Sequence, residues 1–239
     1  MWTKEDFETS VRRLSTAFDG LQRDDNDSEN CECDSICFGW SLVTFESNGG
    51  QPEIFLEHLP ITRLVSSTSV EEDSCDENDQ VYRDEASNLI PDPDCQSKYQ
   101  GSDTVLTKTI WHLSVVYSHT WQGPVLYFFV QGSNGSPCTR NTIFNMLNLY
   151  SDGADSWDFI SQDEHPITRL PSFFLHPCQV HARLQTMVSA LHVDDSVSHQ
   201  NRCALRLLSW MSMMLRAIDM PLPSHIFRRL KQRLTVAFE

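Results

Sequence analysis

An antiparallel sheet of about four strands with helices packed on it, the α+β class, is the fold expected of this 239-residue chain. Three observations lead there. Segments with two-residue alternation follow one another without helical stretches between them. Helical periodicity stands before the first of them and after the last. Neither a dinucleotide fingerprint, a phosphate-binding glycine loop nor an internal repeat occurs, which weighs against alternating strand–helix folds and against nucleotide use.

The elements follow in order. Thr3 and Asp6 resemble a capping box, and Phe7, Val11, Leu14, Phe18 and Leu21 follow on one helical face. Ile36, Phe38, Trp40 and Leu42 alternate, Asn48-Gly49-Gly50 supplies a turn, and 53–59 reads as the returning strand. Residues 66–103 are polar, acidic and interrupted by Pro91 and Pro93, the composition of a disordered insertion within one domain spanning 1–239. Residues 104–117 carry Val105, Trp111, Leu113, Val115 and Tyr117, and 124–130 is apolar on both sides, as in a covered central strand. Thr139 can cap a helix to about Tyr150, with Ile143, Phe144, Leu147 and Tyr150 inward. An irregular stretch with Trp157, His165-Pro166 and Pro171 leads into a short apolar strand, Phe173-Phe174-Leu175. Beyond it, Val180, Leu184, Met187, Val188 and Leu191 recur at helical spacing. Helices over 199–218, with Leu205, Leu208, Leu215 and Ile218 inward, and over 224–238 complete the chain.

A hydrophobic share of 40% fits a globular protein in water. No apolar run approaches the roughly 18 residues that span a bilayer, and the N-terminal residues lack the apolar core of a signal peptide. A cytoplasmic, reducing location without membrane insertion is therefore expected, with the eight cysteines as free thiols. The net charge of −15 is unevenly placed: 24–34 carries six acids without Lys or Arg, and 66–103 carries eleven acids against Arg83 and Lys98. Those segments, at −6 and −9, leave the remainder neutral, so the acidity belongs to two loops and nucleic acid is disfavoured as a partner. Arg228, Arg229, Lys231 and Arg233 form a basic run that reads as a solvated helix face, with docking as the alternative.

Cys178 is the chemically suggestive residue. It follows His176-Pro177 where the apolar strand meets the next helix, and Pro177 suits a first helical position because its missing N–H costs nothing there. First-turn N–H groups lack intrahelical partners and the helix dipole favours negative charge, so a thiol there is biased toward thiolate and toward binding an oxyanion. The bland alternative is a buried small hydrophobe, the common fate of free cysteine, and that is the reading for Cys138 and Cys203. Cys31, Cys33 and Cys37 lack the paired spacing of a structural zinc site, and only Cys75 and Cys95 in the acidic segment could complete one. His176 and His181 are too near Cys178 in sequence to serve easily as its base. Nothing local marks His165, His112 or His119 for that role, so a cysteine hydrolase is weakly supported.

Pro124-Val125-Leu126-Tyr127-Phe128, then Glu164-His165-Pro166-Ile167, then Phe173-Phe174-Leu175-His176-Pro177-Cys178 resemble, in that order, the autophagy-related protein ten family. The resemblance covers about 104–191, agrees in type over the N-terminal helix and first hairpin, and omits the acidic insertion and the C-terminus. It implies a fold like that of ubiquitin-conjugating enzymes. It also implies that Cys178 accepts autophagy-related protein twelve as a thioester from the activating enzyme, protein seven, and passes it to a lysine of protein five. No cofactor is implied, since the activating enzyme would use the ATP. His176 and Pro177 would support the site by shaping the turn. Ordinary ubiquitin-conjugating enzymes have His-Pro-Asn before the cysteine, whereas here Ile167 follows His165-Pro166. The usual oxyanion-supporting Asn is therefore missing, and backbone N–H groups, Tyr127, Asn141 or Asn145 are the candidates to replace it. A relative that conjugates protein eight to lipid, and a non-catalytic adaptor binding ubiquitin-like proteins, are the alternatives.

Overall fold

Six antiparallel strands, rather than about four, form the sheet of the computed structural model, in the order β1-β2-β3-β4-β6-β5. The structure describes residues 2–26, 39–46, 52–67, 105–147, 160–177, 184, 186–187 and 197–235. Helix α1 (Lys4–Asn26) precedes β1 (Trp40–Phe45), β2 (Glu53–Ser67), β3 (Val105–Ser118) and β4 (Gly123–Gly132). Helix α2 (Arg140–Met146), β5 (Ile160–Glu164), β6 (Pro171–Leu175), α3 (His199–Ala217) and α4 (Ser224–Thr235) follow. The expected strand at Ile36 and Phe38, the acidic segment between 67 and 105, Tyr150 and most of the helix after Cys178 lie outside the described residues.

The first and last helices are amphipathic as their periodicity requires. Thr3 Oγ1 accepts from the Asp6 N–H at 3.0 Å, capping α1, and Phe7, Val11, Leu14, Phe18 and Leu21 are all buried. Ser198 caps α3, whose Leu205, Leu208 and Leu215 face inward, and Ile218 closes it. These side chains share one core with Leu56, Trp111, Leu113, Val115, Leu126, Phe128, Phe173 and Leu175, so α1, α3 and α4 cover one face of the sheet.

The extra strands are the β5–β6 hairpin. Ser161, Gln162, Asp163 and Glu164 pair with Phe174, Phe173, Ser172 and Pro171. Only Ile160 of β5 is buried, so this edge strand carries no two-residue alternation to announce it. β2 is also longer than 53–59: it passes a register shift between His58 and Ile61 and continues to Ser67, opposite Val105. At that irregularity Gly39, with φ +107°, lies where a Cβ would come 3.2 Å from His58 and Leu59, so glycine is required.

The expectation that β4 is covered on both faces holds only toward its start. Val125 is fully buried, but Tyr127 and Phe129 are part-exposed. On this second face Phe55, Val116 and Ile167 form a small separate cluster with Val43 and Tyr127 packed against it. Among the described residues the sheet thus has a helix-covered face and a second face on which the β5–β6 turn packs.

Candidate functional site

β4 and β6 bring the resemblance-bearing motifs side by side. Tyr127 pairs with Phe174 and Phe128 with Phe173 across an antiparallel ladder, so the strand ending at His176-Pro177 lies against the strand carrying Tyr127. Because side chains alternate across a strand, Phe173 and Leu175 enter the helix-covered core while Phe174, also buried, faces the other side of the sheet with Tyr127. The Phe174 ring lies 5.6 Å from Tyr127 and 6.4 Å from His176. The His176 ring meets Trp121, in the β3–β4 turn, edge to face at 4.4 Å. Trp121 is 44% exposed, so His176 and Pro177, both half-buried, stand at the rim of the sheet beside an accessible indole. Cys178 itself lies outside the described residues.

His165 is buried behind this rim, between the rings of Tyr127 (5.0 Å) and Phe55 (6.2 Å). Its Nδ1 accepts from the Ile167 and Thr168 N–H groups at 3.2 and 3.1 Å. Nδ1 therefore carries no proton, so Nε2 bears it and donates to Ser114 Oγ at 2.8 Å. Burial lowers the His165 pKa from 6.5 to about 4. The imidazole is neutral and both nitrogens are committed, which suits a strut for the turn better than a base. Backbone bonds from the Arg169 N–H to His165 O and from the His165 N–H to Leu170 O, both 2.9 Å, close the same turn.

Ile167, at the position of the missing Asn, is 9% exposed and packs on Phe55 and Val116. An apolar side chain there satisfies an apolar cluster and offers no donor. Asn141 and Asn145 are exposed on α2, which begins beyond the Gly132 end of β4, whereas Trp121 and His176 lie at the Gly123 end. At about 3.4 Å per residue, most of the length of β4 separates them from His176. Of Tyr127, Asn141 and Asn145, only Tyr127 stands on the strand beside β6: burial, with the Asp163 charge second, raises its phenol pKa, so the hydroxyl keeps its proton.

A cleft of about 250 Å³ opens on this face, lined by Phe55, His112, Ser114, Tyr127, Phe129 and His165 among others. Its contribution from β3, and the place of Trp121 against His176, were not read from the sequence. An exposed Trp in a short turn, Thr120-Trp121-Gln122, was the available signal for the latter. Cys138 is half-buried, with its thiol pushed up by burial, in keeping with a structural role. No helix among the described residues is long and apolar enough to cross a membrane.

A family model described as "Autophagocytosis associated protein, active-site domain" matches residues 7–225. Three relatives, each named "Ubiquitin-like-conjugating enzyme ATG10", are similar to this chain. The Arabidopsis thaliana protein is 27% identical over 176 residues, covering 70% of this chain and 73% of its own length. The Homo sapiens protein is 30% identical over 137 residues, 56% and 59% of the two chains. The Dictyostelium discoideum protein is 29% identical over 126 residues, 50% and 54%.

Proposed function

The chain belongs to the family of autophagocytosis-associated active-site domains, and on that footing we propose that it is a ubiquitin-like-protein conjugating enzyme of autophagy with Cys178 as its thioester nucleophile. The donor is autophagy-related protein twelve, delivered by activating protein seven, and the acceptor is a lysine of protein five. The observation that carries this reading is the meeting of the three motifs around Tyr127: its ring lies against His165 and against Phe174, in the strand that leads to His176-Pro177.

In the first step the Cys178 thiolate attacks the thioester carbonyl carbon on the activating enzyme. A tetrahedral oxyanion forms, and the activating enzyme's thiolate leaves as the new thioester closes. In the second, a neutral lysine amine attacks that thioester, loses a proton, and Cys178 leaves as thiolate. An ordinary thiol, with pKa about 8.5, is a few per cent ionised at pH 7, whereas a lysine of pKa about 10.4 is neutral in well under one part in a thousand. Supplying the amine is thus the harder demand, and desolvation beside the rim meets it by disfavouring the ammonium. Trp121 and Phe174, the apolar neighbours of His176 two residues before Cys178, support that reading. Oxyanion support falls to first-turn backbone N–H groups and to the Tyr127 hydroxyl, since Ile167 offers none. His176 and Pro177 hold the turn.

Donor choice tests this reading. With protein seven and ATP, proteins twelve and eight are offered in competition, followed by protein five or by lipid vesicles containing phosphatidylethanolamine. The expected product is the twelve–five conjugate. Charging with eight and transfer to lipid would replace this reading by the lipid-conjugating one, and conjugation that persists in Cys178→Ser would replace it by an adaptor role.

A further inference from the structure

On the helical layer of the fold, α1 and α3 bring together three ligating groups that the conjugation chemistry does not use. His199 and Cys203 are one turn apart on α3 and so share a face. Asp6, in the first turn of α1, meets both. His199 Nε2 lies 3.1 Å from Asp6 Oδ1, Cys203 Sγ lies 3.5 Å from His199 Nε2, and Cys203 Sγ lies 3.7 Å from Asp6 Oδ1. We propose that Asp6, His199 and Cys203 form a binding site for one zinc ion, which joins the start of α1 to the start of α3.

The geometry fits that ion. Zinc bonds of about 2.3 Å to sulfur and about 2.0–2.2 Å to nitrogen and oxygen, at tetrahedral angles, put sulfur about 3.6 Å from the other two donors and nitrogen about 3.4 Å from oxygen. The three observed separations lie within a few tenths of an ångström of those values. One thiolate, one imidazole and one carboxylate is a borderline-soft set that suits zinc over calcium or magnesium. Three protein ligands leave the fourth tetrahedral position to water.

Without metal, the Cys203 thiol donates toward the Asp6 carboxylate. Its pKa is raised to about 11, by burial first and by Asp6 second. Metal binding therefore releases the thiol proton to solvent as the sulfur–zinc bond forms. The imidazole keeps one proton, moved to Nδ1, so that Nε2 can ligate. Thiolate and carboxylate together neutralise the dication, which offsets the adverse charge of Arg202 and Arg206 nearby. The ligands are 193 and 197 residues apart in sequence, so the bond closes nearly the whole chain.

The test is a titration of the full-length, reduced, metal-free protein with Co²⁺ as a spectroscopic stand-in, followed by displacement with Zn²⁺. Wild type should bind one equivalent with a thiolate-to-cobalt charge-transfer band and the intense visible bands of a tetrahedral centre. Zinc should also raise its melting temperature. Cys203→Ser and His199→Ala should each lose that equivalent, with affinity weakened at least tenfold. Cys178→Ser and the triple variant Cys31→Ser/Cys33→Ser/Cys37→Ser should keep it. The His199 side chain is 73% exposed, so His199→Ala reads ligation without disturbing the core. Absence of the bands in wild type, their retention in either site variant, or their loss in either control would overturn the site.

Discussion

Protonating His165 would turn Nδ1 from an acceptor for two backbone N–H groups into a donor facing them, in a site closed by Tyr127, Phe55 and Ser114. The folded protein binds that proton only near pH 4, whereas the unfolded chain binds it near 6.5. Stability from this group is present in full above the unfolded value and is lost as pH falls through the window down to about 4. The amount is on the order of 3 kcal/mol. Urea unfolding of wild type and His165→Gln at pH 7 and near pH 4 isolates it: the variant should be less stable at pH 7 but lose less on acidification. Equal losses would contradict this account of His165. The motif containing His165 was visible in the sequence. Its hydrogen-bonding role was not, because Ser114 is 51 residues away and only the fold brings them together.

At the scale of elements, legibility followed the burial pattern. α1 and α3 each place a full apolar stripe against one core, so periodicity located both helices, and Thr3 was legible as the cap of α1, whereas the Ser198 cap of α3 was not singled out. β5 escaped because an edge strand with one buried side chain has no periodic signal, and β2 was cut short because the irregularity at Leu59-Pro60 breaks its alternation. The paired ends of β2 and β3 carry a consequence: Ser67 sits opposite Val105, so everything between them leaves and returns at one point of the sheet. Replacing 68–104 by a four-residue turn should preserve the fold, with the unfolding free energy from urea titration changed by no more than about 1 kcal/mol. A larger loss, or a loss of cooperativity, would mean that the segment packs on the sheet.

At the scale of the whole molecule, the net charge of −15 says little about the fold, because 24–34 and 66–103 account for it. The described residues form a sheet with α1, α3 and α4 on one face and an aromatic rim at one end of β4. That division was only partly foreseeable. Most of the strands and the terminal helices could be placed along the chain, but β5 could not, and the apolar look of 124–130 concealed that its Tyr127 and Phe129 face a cleft. The sequence marks the cysteine after His176-Pro177 as the reactive candidate from its expected place before a helix, and that cysteine lies outside the described residues. The central claim is that this thiol carries a ubiquitin-like protein, and a charging assay addresses it most directly. Protein seven, ATP and protein twelve are incubated with wild type and with Cys178→Ser, then resolved on gels with and without reductant. A reductant-sensitive adduct on wild type that becomes reductant-resistant in Cys178→Ser, through an oxyester, is the predicted result. No adduct on wild type while protein seven itself charges would contradict it.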